Sequence, residues 1–382
     1  MADKRAIETP FYLCKEKLLE RNLKILDDVQ NRSGAKIILA LKGFAMWSTF
    51  ALVSKYLKGC TASGVYEARL AREEFSRYNR DAEVHTYSPA FKENEIEEIS
   101  KLSNHIVFNS INQINKFLLK AKEYNPNIHT SLRINPEVSA SPKDIYNPCG
   151  LYSRLGTTLE NIDESALNSL DGLNFHALCE QNVEALEEVL KVFEKNFSKY
   201  FKNLKYINFG GGHHITKKGY DIEKLVCIIK EFRLKYQIDV YLEPGEAVGW
   251  ETGYLESTVL DVFENGMHVA ILDTSAEAHM PDTLAMPYRA DVRGAGRSGE
   301  KKYTYRLGGN TCLAGDIMGD YSFDKPLKIG DRVIFEDQIH YTFVKNTTFN
   351  GIKLPSLVVE RVDGSLEVVK EFGYKEYRDR LS

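Results

Sequence analysis

Lys42 closes an apolar run, Ile37-Ile38-Leu39-Ala40-Leu41-Lys42-Gly43. Five apolar residues, β-branched at the start and followed by a lysine and a glycine, read as a strand buried on both faces. A charged ammonium at the end of such a strand is costly unless it is paired, reacted or shifted to its neutral form. A neutral amine is what condensation with a carbonyl requires. Taken alone, the same lysine can equally reach into solvent along its own stem. Three other features carry chemistry of a related kind. Gly210-Gly211-Gly212 lets backbone amides approach an anion closely, although a tight turn uses the same glycines. His176 ends an apolar run, where a flat ring can stack on an aromatic ligand or simply fill the core. Glu243, in Leu242-Glu243-Pro244-Gly245, puts a carboxylate where it can hold a heterocyclic nitrogen protonated or cap the next segment.

The elements that must position these groups alternate. Strand-like runs fall at 37–41, 59–63, 84–87, 105–108, 130–134, 173–176, 206–209 and 240–243. Helical periodicity lies between them, as at 65–77, 111–123, 183–197 and 222–235. Strands and helices in that alternation predict an α/β fold, a (β/α)8 barrel of the triosephosphate-isomerase (TIM) type over residues 12–249, with an open doubly wound sheet as the competing architecture. A barrel gathers its functional residues at the C-terminal ends of its strands, which here present Lys42, Ser63, His176, the three glycines and Glu243. Residues 147–155 read as an enlarged loop after the fifth strand. Beyond residue 250 the pattern turns to alternating runs at 254–263, 268–274, 303–307 and 332–335 with glycine-rich turns, predicting a mostly β domain over 250–382 that residues 1–11 join. Residues 291–302 read as a mobile loop.

At 382 residues the chain can bury two substantial cores. A net charge of −4 and no basic stripe argue against a nucleic-acid surface. The start, Met1-Ala2-Asp3-Lys4-Arg5, is charged, so no secretory signal is expected, and no run approaches the roughly 20 apolar residues of a membrane helix. Six cysteines without paired spacing predict a reducing cytoplasm, no bound metal and mostly small buried thiols, Cys312 excepted.

An amine on the first strand, an anion cradle on the seventh and an acid on the eighth are together what pyridoxal phosphate needs. The chain resembles the barrel-type pyridoxal-phosphate enzymes, the alanine racemase and ornithine decarboxylase-like (fold type III) family. The resemblance runs through Thr9-Pro10-Phe11-Tyr12, Ala40-Leu41-Lys42, Ser63-Gly64-Val65-Tyr66-Glu67, Gly210-Gly211-Gly212 and Glu243-Pro244-Gly245. It implies that Lys42 carries the cofactor aldehyde and His176 stacks on its ring. It further implies that Gly210, Gly211, Gly212 and Gly245 hold the phosphate, Glu243 faces the ring nitrogen and Arg133 supports the cofactor side. Gly308-Gly309-Asn310-Thr311-Cys312-Leu313-Ala314-Gly315-Asp316 is similar to the decarboxylase loop whose cysteine enters the site from a partner subunit. This implies Cys312 as proton donor, Asp316 as acceptor of a substrate amine, and a homodimer with shared sites. His340-Tyr341-Thr342 resembles the segment whose tyrosine borders the phosphate, with His340 where alanine is usual.

Glu246 departs from the family pattern, which often has arginine after the proline-glycine pair. An acid there repels a distal carboxylate and attracts an ammonium. Residues 175–180, 243–247, 278–282 and 312–316 are similar to the carboxynorspermidine/carboxyspermidine decarboxylases. The resemblance implies decarboxylation in polyamine biosynthesis, with Glu246 and Asp282 meeting substrate amines. A diaminopimelate-, ornithine- or arginine-type decarboxylase, an amino-acid racemase and a non-catalytic pyridoxal-phosphate-binding relative remain as alternatives. So does a phosphate-binding isomerase without cofactor.

Overall fold

A computed structural model describes residues 6–141 and 143–382 of the chain. Two compact units divide it, residues 20–248 in one and residues 1–19 with 249–382 in the other. The sequence placed these divisions at 12 and 250. The first lies later because β1 (Phe11–Lys15) runs antiparallel to one strand of the β-rich unit, β11 (Gly253–Glu264), and parallel to another, at Ser356–Glu360.

In the barrel unit the strands are β2 (Lys36–Ile37), β3 (Leu39–Ala40), β4 (Gly59–Ala62), β5 (Glu83–Tyr87), β6 (His105–Phe108), β7 (His129–Ile134), β8 (Gly172–Phe175), β9 (Tyr206–Asn208) and β10 (Asp239–Leu242). All pairings are parallel, each strand beside its sequence neighbour, and β10 returns to β2. The competing open sheet is thereby excluded. The predicted first strand is one segment bonded along both edges. Ile38 N–H donates to Leu242 O and Ala40 N–H to Pro244 O on one side, while Leu41 N–H donates to Thr61 O on the other. Ile37, Ile38, Leu39 and Leu41 have no exposed surface, as a strand with barrel interior on one side and helices on the other demands. The helix Ile111–Tyr124 starts at Ser110, whose Oγ accepts from Gln113 N–H. Ile222–Tyr236 starts at Asp221 in the same way and buries Leu225, Val226, Ile229 and Phe232 along one stripe.

The other unit is built on a mixed sheet. Its strands are β11, β12 (His268–Leu272), β13 (Gly296–Arg297), β14 (Tyr303–Gly308), β15 (Ile317–Phe323), β16 (Arg332–Glu336), β17 (Ser356–Glu360) and β18 (Leu366–Lys370). The order is β13-β15-β14-β12-β11-β1-β17-β18, with β16 also on β11. Phe11, Leu13, Tyr254 and Val358 form a core around β1. The stretch 291–302 is not a free loop. Val292 bridges to Phe335 and β13 pairs with β15, interactions too short to leave an alternating signature. The buried-cysteine expectation also fails in part. Cys14 and Cys60 are buried, but Cys227 is exposed and Cys149 and Cys179 half-buried; Cys312, excepted from that expectation, is exposed. Cys227 sits beside the buried stripe of its helix rather than in it.

Candidate active site

At the C-terminal mouth of the barrel, Lys42 begins a turn in which Gly43 N–H donates to Ala40 O. A Cβ on Gly43 would lie 2.8 Å from Gly245 Cα, so glycine at both places lets the Lys42 turn pack against the loop after β10. Among the described residues no hydrogen bond or ion pair holds the Lys42 amine. Its side chain keeps accessible surface, yet protein atoms crowd the hollow it stands in. That desolvation is the main reason its pKa falls below the usual lysine range, and the Arg133 charge adds to it, against opposing pulls from Glu243, Glu67 and Cys179.

The three glycines make a turn that only glycine fits. Gly210 and Gly212 have φ of +70° and +83°. A Cβ on Gly211 would lie 2.5 Å from Glu243 O and 3.1 Å from His176 Cε1. The close packing has a purpose for each neighbour. Gly211 N–H donates to His176 Nδ1 at 2.8 Å. That bond makes Nδ1 the acceptor, so the neutral ring carries its proton on Nε2. Burial first, then the charges of Lys42 and Arg133, push the His176 pKa well below the ordinary imidazole range. His176 is thus an uncharged flat ring. Asn208, buried at the end of β9, accepts from Gly210 N–H at 2.8 Å and donates to Glu243 Oε1 at 2.7 Å. Glu243 N–H in turn donates to Gly210 O.

Arg133, on β7, is buried, lies over the Tyr87 ring at 4.6 Å and donates to His176 O. Glu67 accepts from Ser63 N–H at the end of β4. Glu246 starts the short helix Glu246–Gly249 and, after burial and Glu180, helps raise the nearby Cys179 thiol to about 12. Lys42, Arg133, His176, the glycine turn, Glu243, Gly245 and Glu246 are therefore all carried on one unit at strand ends.

The remaining predicted residues lie on the β-rich unit. Cys312 is exposed on the turn after β14, its N–H donating to Asn350 Oδ1. Asp282 opens the helix Asp282–Ala285 and is ion-paired with Lys345. Tyr341, half-buried, starts the helix Tyr341–Val344. Asp316 needs correction. Its buried carboxylate accepts from Ser275 Oγ, Ala276 N–H and Glu277 N–H, and from Thr311 N–H and Oγ1. Five donors from its own unit fill both oxygens, so Asp316 anchors the cysteine turn instead of offering a free acceptor to a substrate amine.

The residues of the barrel mouth fit pyridoxal phosphate. An amine biased toward neutrality suits its aldehyde, the neutral His176 ring suits stacking, and Glu243 Oε2 has no partner among the described residues. The glycine cradle fits an anion in a narrower way than the sequence implied. Gly210 and Gly211 spend their N–H groups on Asn208 and His176, whereas those of Gly212 and Gly245 make no hydrogen bond among the described residues.

Sequence reasoning passed over Asn208, though an amide ending a buried strand just before three glycines is a readable signal. It also passed over a cluster at the opposite mouth. Glu83, His85 and His105 bring ligand atoms within 4.8 Å of one another. The two imidazoles stack face to face, with centroids 3.8 Å apart and planes at 13°. Lone pairs lying in nearly parallel, separated planes do not converge on one ion, so this arrangement does not hold a metal as it stands.

Comparison with known proteins agrees over nearly the whole length. The family model for pyridoxal-dependent decarboxylases, described by its C-terminal sheet domain, matches residues 11–338. A carboxynorspermidine/carboxyspermidine decarboxylase of Campylobacter jejuni is 53% identical, covering 97% of this chain and 98% of that protein. A carboxyaminopropylagmatine decarboxylase of Synechocystis is 42% identical, covering 98% and 96%. The crystal structure of Campylobacter jejuni carboxynorspermidine decarboxylase complexed with norspermidine superposes with a TM-score of 0.89 at 51% identity, covering 98% of this chain and all of that one.

Proposed function

The chain belongs to the pyridoxal-dependent decarboxylases, and from that premise we propose that it removes CO2 from carboxynorspermidine or carboxyspermidine, releasing norspermidine or spermidine. The observation that carries the substrate class is full-length similarity at 53% identity to an enzyme of that name. Glu246, an acid beside the glycine that ends the cradle, supports it chemically, since a polyamine tail presents ammonium groups.

When bound, pyridoxal phosphate supplies an aldehyde that joins to amines and a ring that takes up the electron pair left when CO2 departs. The protein residues do the rest. Lys42 Nζ is the amine that links to the protein. The N–H groups of Gly212 and Gly245, with Arg133 behind His176, hold the anionic end. His176 lays its neutral ring against the heterocycle, and Glu243 Oε2 keeps a proton on the ring nitrogen. Glu246 and Asp282 receive the amines of the tail; for Asp282 that means exchanging or sharing Lys345. Cys312 Sγ–H gives the hydrogen that replaces the carboxylate, which in this proposal comes from the second subunit of a cytoplasmic head-to-tail homodimer. No helix among the described residues is long and apolar enough to cross a membrane.

Carboxyaminopropylagmatine is the second reading, supported by the relative that bears that name. Its guanidinium end would meet the same acids. Steady-state kinetics on the three carboxylated substrates, with diaminopimelate and ornithine as controls, decide between them. The expected result is kcat/KM for a carboxylated polyamine on the order of 10²-fold above the controls. Borohydride reduction followed by peptide mapping should place the cofactor on Lys42. Preference for diaminopimelate, or a label elsewhere, overturns the proposal.

A further inference from the structure

We infer that Asn208 is a positioning residue for the decarboxylation, its side-chain amide aiming the Glu243 carboxylate while locking the glycine turn beside it. The inference rests on the reading of Glu243 as the partner of the cofactor ring nitrogen.

The orientation of the Asn208 amide follows from its neighbours. Gly210 N–H can only donate, so the atom 2.8 Å from it must be Oδ1. The NH2 group must then face Glu243 Oε1, 2.7 Å away. Asn208 is fully buried, so neither bond exchanges with water. Glu243 is held at two points, by its own N–H to Gly210 O and by Oε1 to Asn208. Its side chain therefore cannot swing without breaking a buried hydrogen bond, and Oε2 is the edge left for a ligand. The same turn fixes His176 through Gly211. One amide at the end of β9 thus sets two ligand-facing groups, one directly and one through the backbone it anchors.

Asn208→Asp separates the two bonds. The new carboxylate still accepts from Gly210 N–H, so the turn and His176 keep their anchor, but the donor toward Glu243 becomes a second acid. Two carboxylates that close share a proton at neutral pH. The experiment compares holoenzyme of wild type, Asn208→Asp, Glu243→Gln, Asn208→Ala and the Asn208→Ala/Glu243→Gln pair. Three quantities are read: kcat against pH, the cofactor dissociation constant by absorbance titration, and thermal unfolding. The expected result for Asn208→Asp is a kcat loss on the order of 10–100-fold with substrate KM nearly unchanged. Cofactor binding should weaken about tenfold, and the kcat deficit should change with pH, a limb the wild type lacks. In the Glu243→Gln background, Asn208→Ala should lower kcat by a smaller factor than it does in the wild type, because one of the two groups it positions is already gone. Asn208→Asp matching wild type in kcat, pH profile and cofactor affinity overturns the inference. So does a pair of substitutions whose effects simply multiply. A wild-type protein that takes up no cofactor overturns the functional reading itself, a result distinct from indifferent Asn208 variants in a working holoenzyme.

Discussion

Lys36 and Lys42 stand on the same barrel-closing segment, one at each mouth, and the barrel treats them in opposite ways. Lys36 Nζ is bound by Glu83 Oε1 at 2.8 Å and Tyr241 OH at 2.9 Å. Tyr241 OH also donates to Glu83 Oε2 at 2.7 Å, and His85 and His105 lean on the same oxygen. Burial alone would raise the Glu83 carboxyl, but the bonds from His105 and His85 and the Lys36 amine outweigh it and hold it far below the usual carboxylate range. Lys36 and Glu83 are thus partnered to each other and to the groups around them at that mouth. At the other mouth Lys42 stands near Glu243, yet Asn208 holds that carboxylate and the amine is left open. The contrast is that the Lys36 amine is fixed by an ion pair, whereas the carboxylate near Lys42 is steered by Asn208 and leaves the amine desolvated without one.

The largest effect that tests this contrast is Lys42→Ala. Removing the linking amine should lower turnover roughly 10³–10⁶-fold, as loss of a covalent group does elsewhere, and remove the cofactor absorbance band. Thermal unfolding of the cofactor-free proteins should be unchanged or slightly raised, because an open, desolvated amine contributes little to the fold. A variant that unfolds early would place Lys42 among the structural lysines. Glu83→Ala should do the reverse. It leaves Lys36, Tyr241 OH and two imidazoles without their shared acceptor, for a loss of about 2–4 kcal/mol in urea unfolding. The kcat of the folded fraction should stay within about twofold. A large kcat loss at full stability would make the two mouths functionally continuous.

The barrel was legible because its strands are short continuous apolar runs and its helices carry clean stripes, signals that survive in any local window. Lys42 stood out for the same reason, as the lysine ending such a run. What stayed hidden depends on partners distant in sequence. Asp316 looked like a free acid on a glycine-rich turn, but three of its donors, on Ser275, Ala276 and Glu277, lie about forty positions upstream. Asp282 carried no local sign of Lys345. The division after Leu19 was misplaced because β1 borrows its hydrogen bonds from strands far along the chain. The histidine cluster did leave a trace. His85, His105 and His129 sit near the starts of three successive strands, a pattern that predicts imidazoles side by side once the barrel is drawn.

Acid should weaken the Lys36 mouth, as it should the other buried histidines held below their ordinary value, His176 among them. Burial, with the neighbouring His85 adding to it and Glu83 opposing, pushes His105 down to about 3. His129, Asp171, Tyr206 and Tyr241 surround the same rings. In the unfolded chain an imidazole takes its proton near the ordinary value of about 6.5, while the folded one resists. Between those limits the unfolded state binds more protons, so stability rises with pH. As pH falls below about 6.5 the fold should lose up to ~1.4 kcal/mol per pH unit from this site, levelling near 3. Below roughly 4.5, Glu83 adds its own loss as the unfolded carboxyl protonates first. Urea titrations from pH 7 to 4 on the wild type and on His105→Gln isolate this contribution, and profiles of equal slope would mean that His105 charges freely in the fold.

The smallest expected effect is that of zinc. Glu83, His85 and His105 have the residue types of a site, but ion coordination needs each imidazole nitrogen to point along its own ring plane at a common centre. With the rings stacked at 13°, one must rotate out of the stack, and Glu83 must release Lys36 and Tyr241. The ion would then share a mouth with the displaced ammonium. Each of these changes opposes binding, so added zinc should move Tm by less than about 1 °C, below the roughly 2–4 °C that 1 kcal/mol produces in a domain of this size. A rise of several degrees that disappears in Glu83→Ala would show that the two imidazoles rotate apart readily. The closed, paired mouth would then be a switchable one, and its difference from the Lys42 mouth would lie in which ligand opens it.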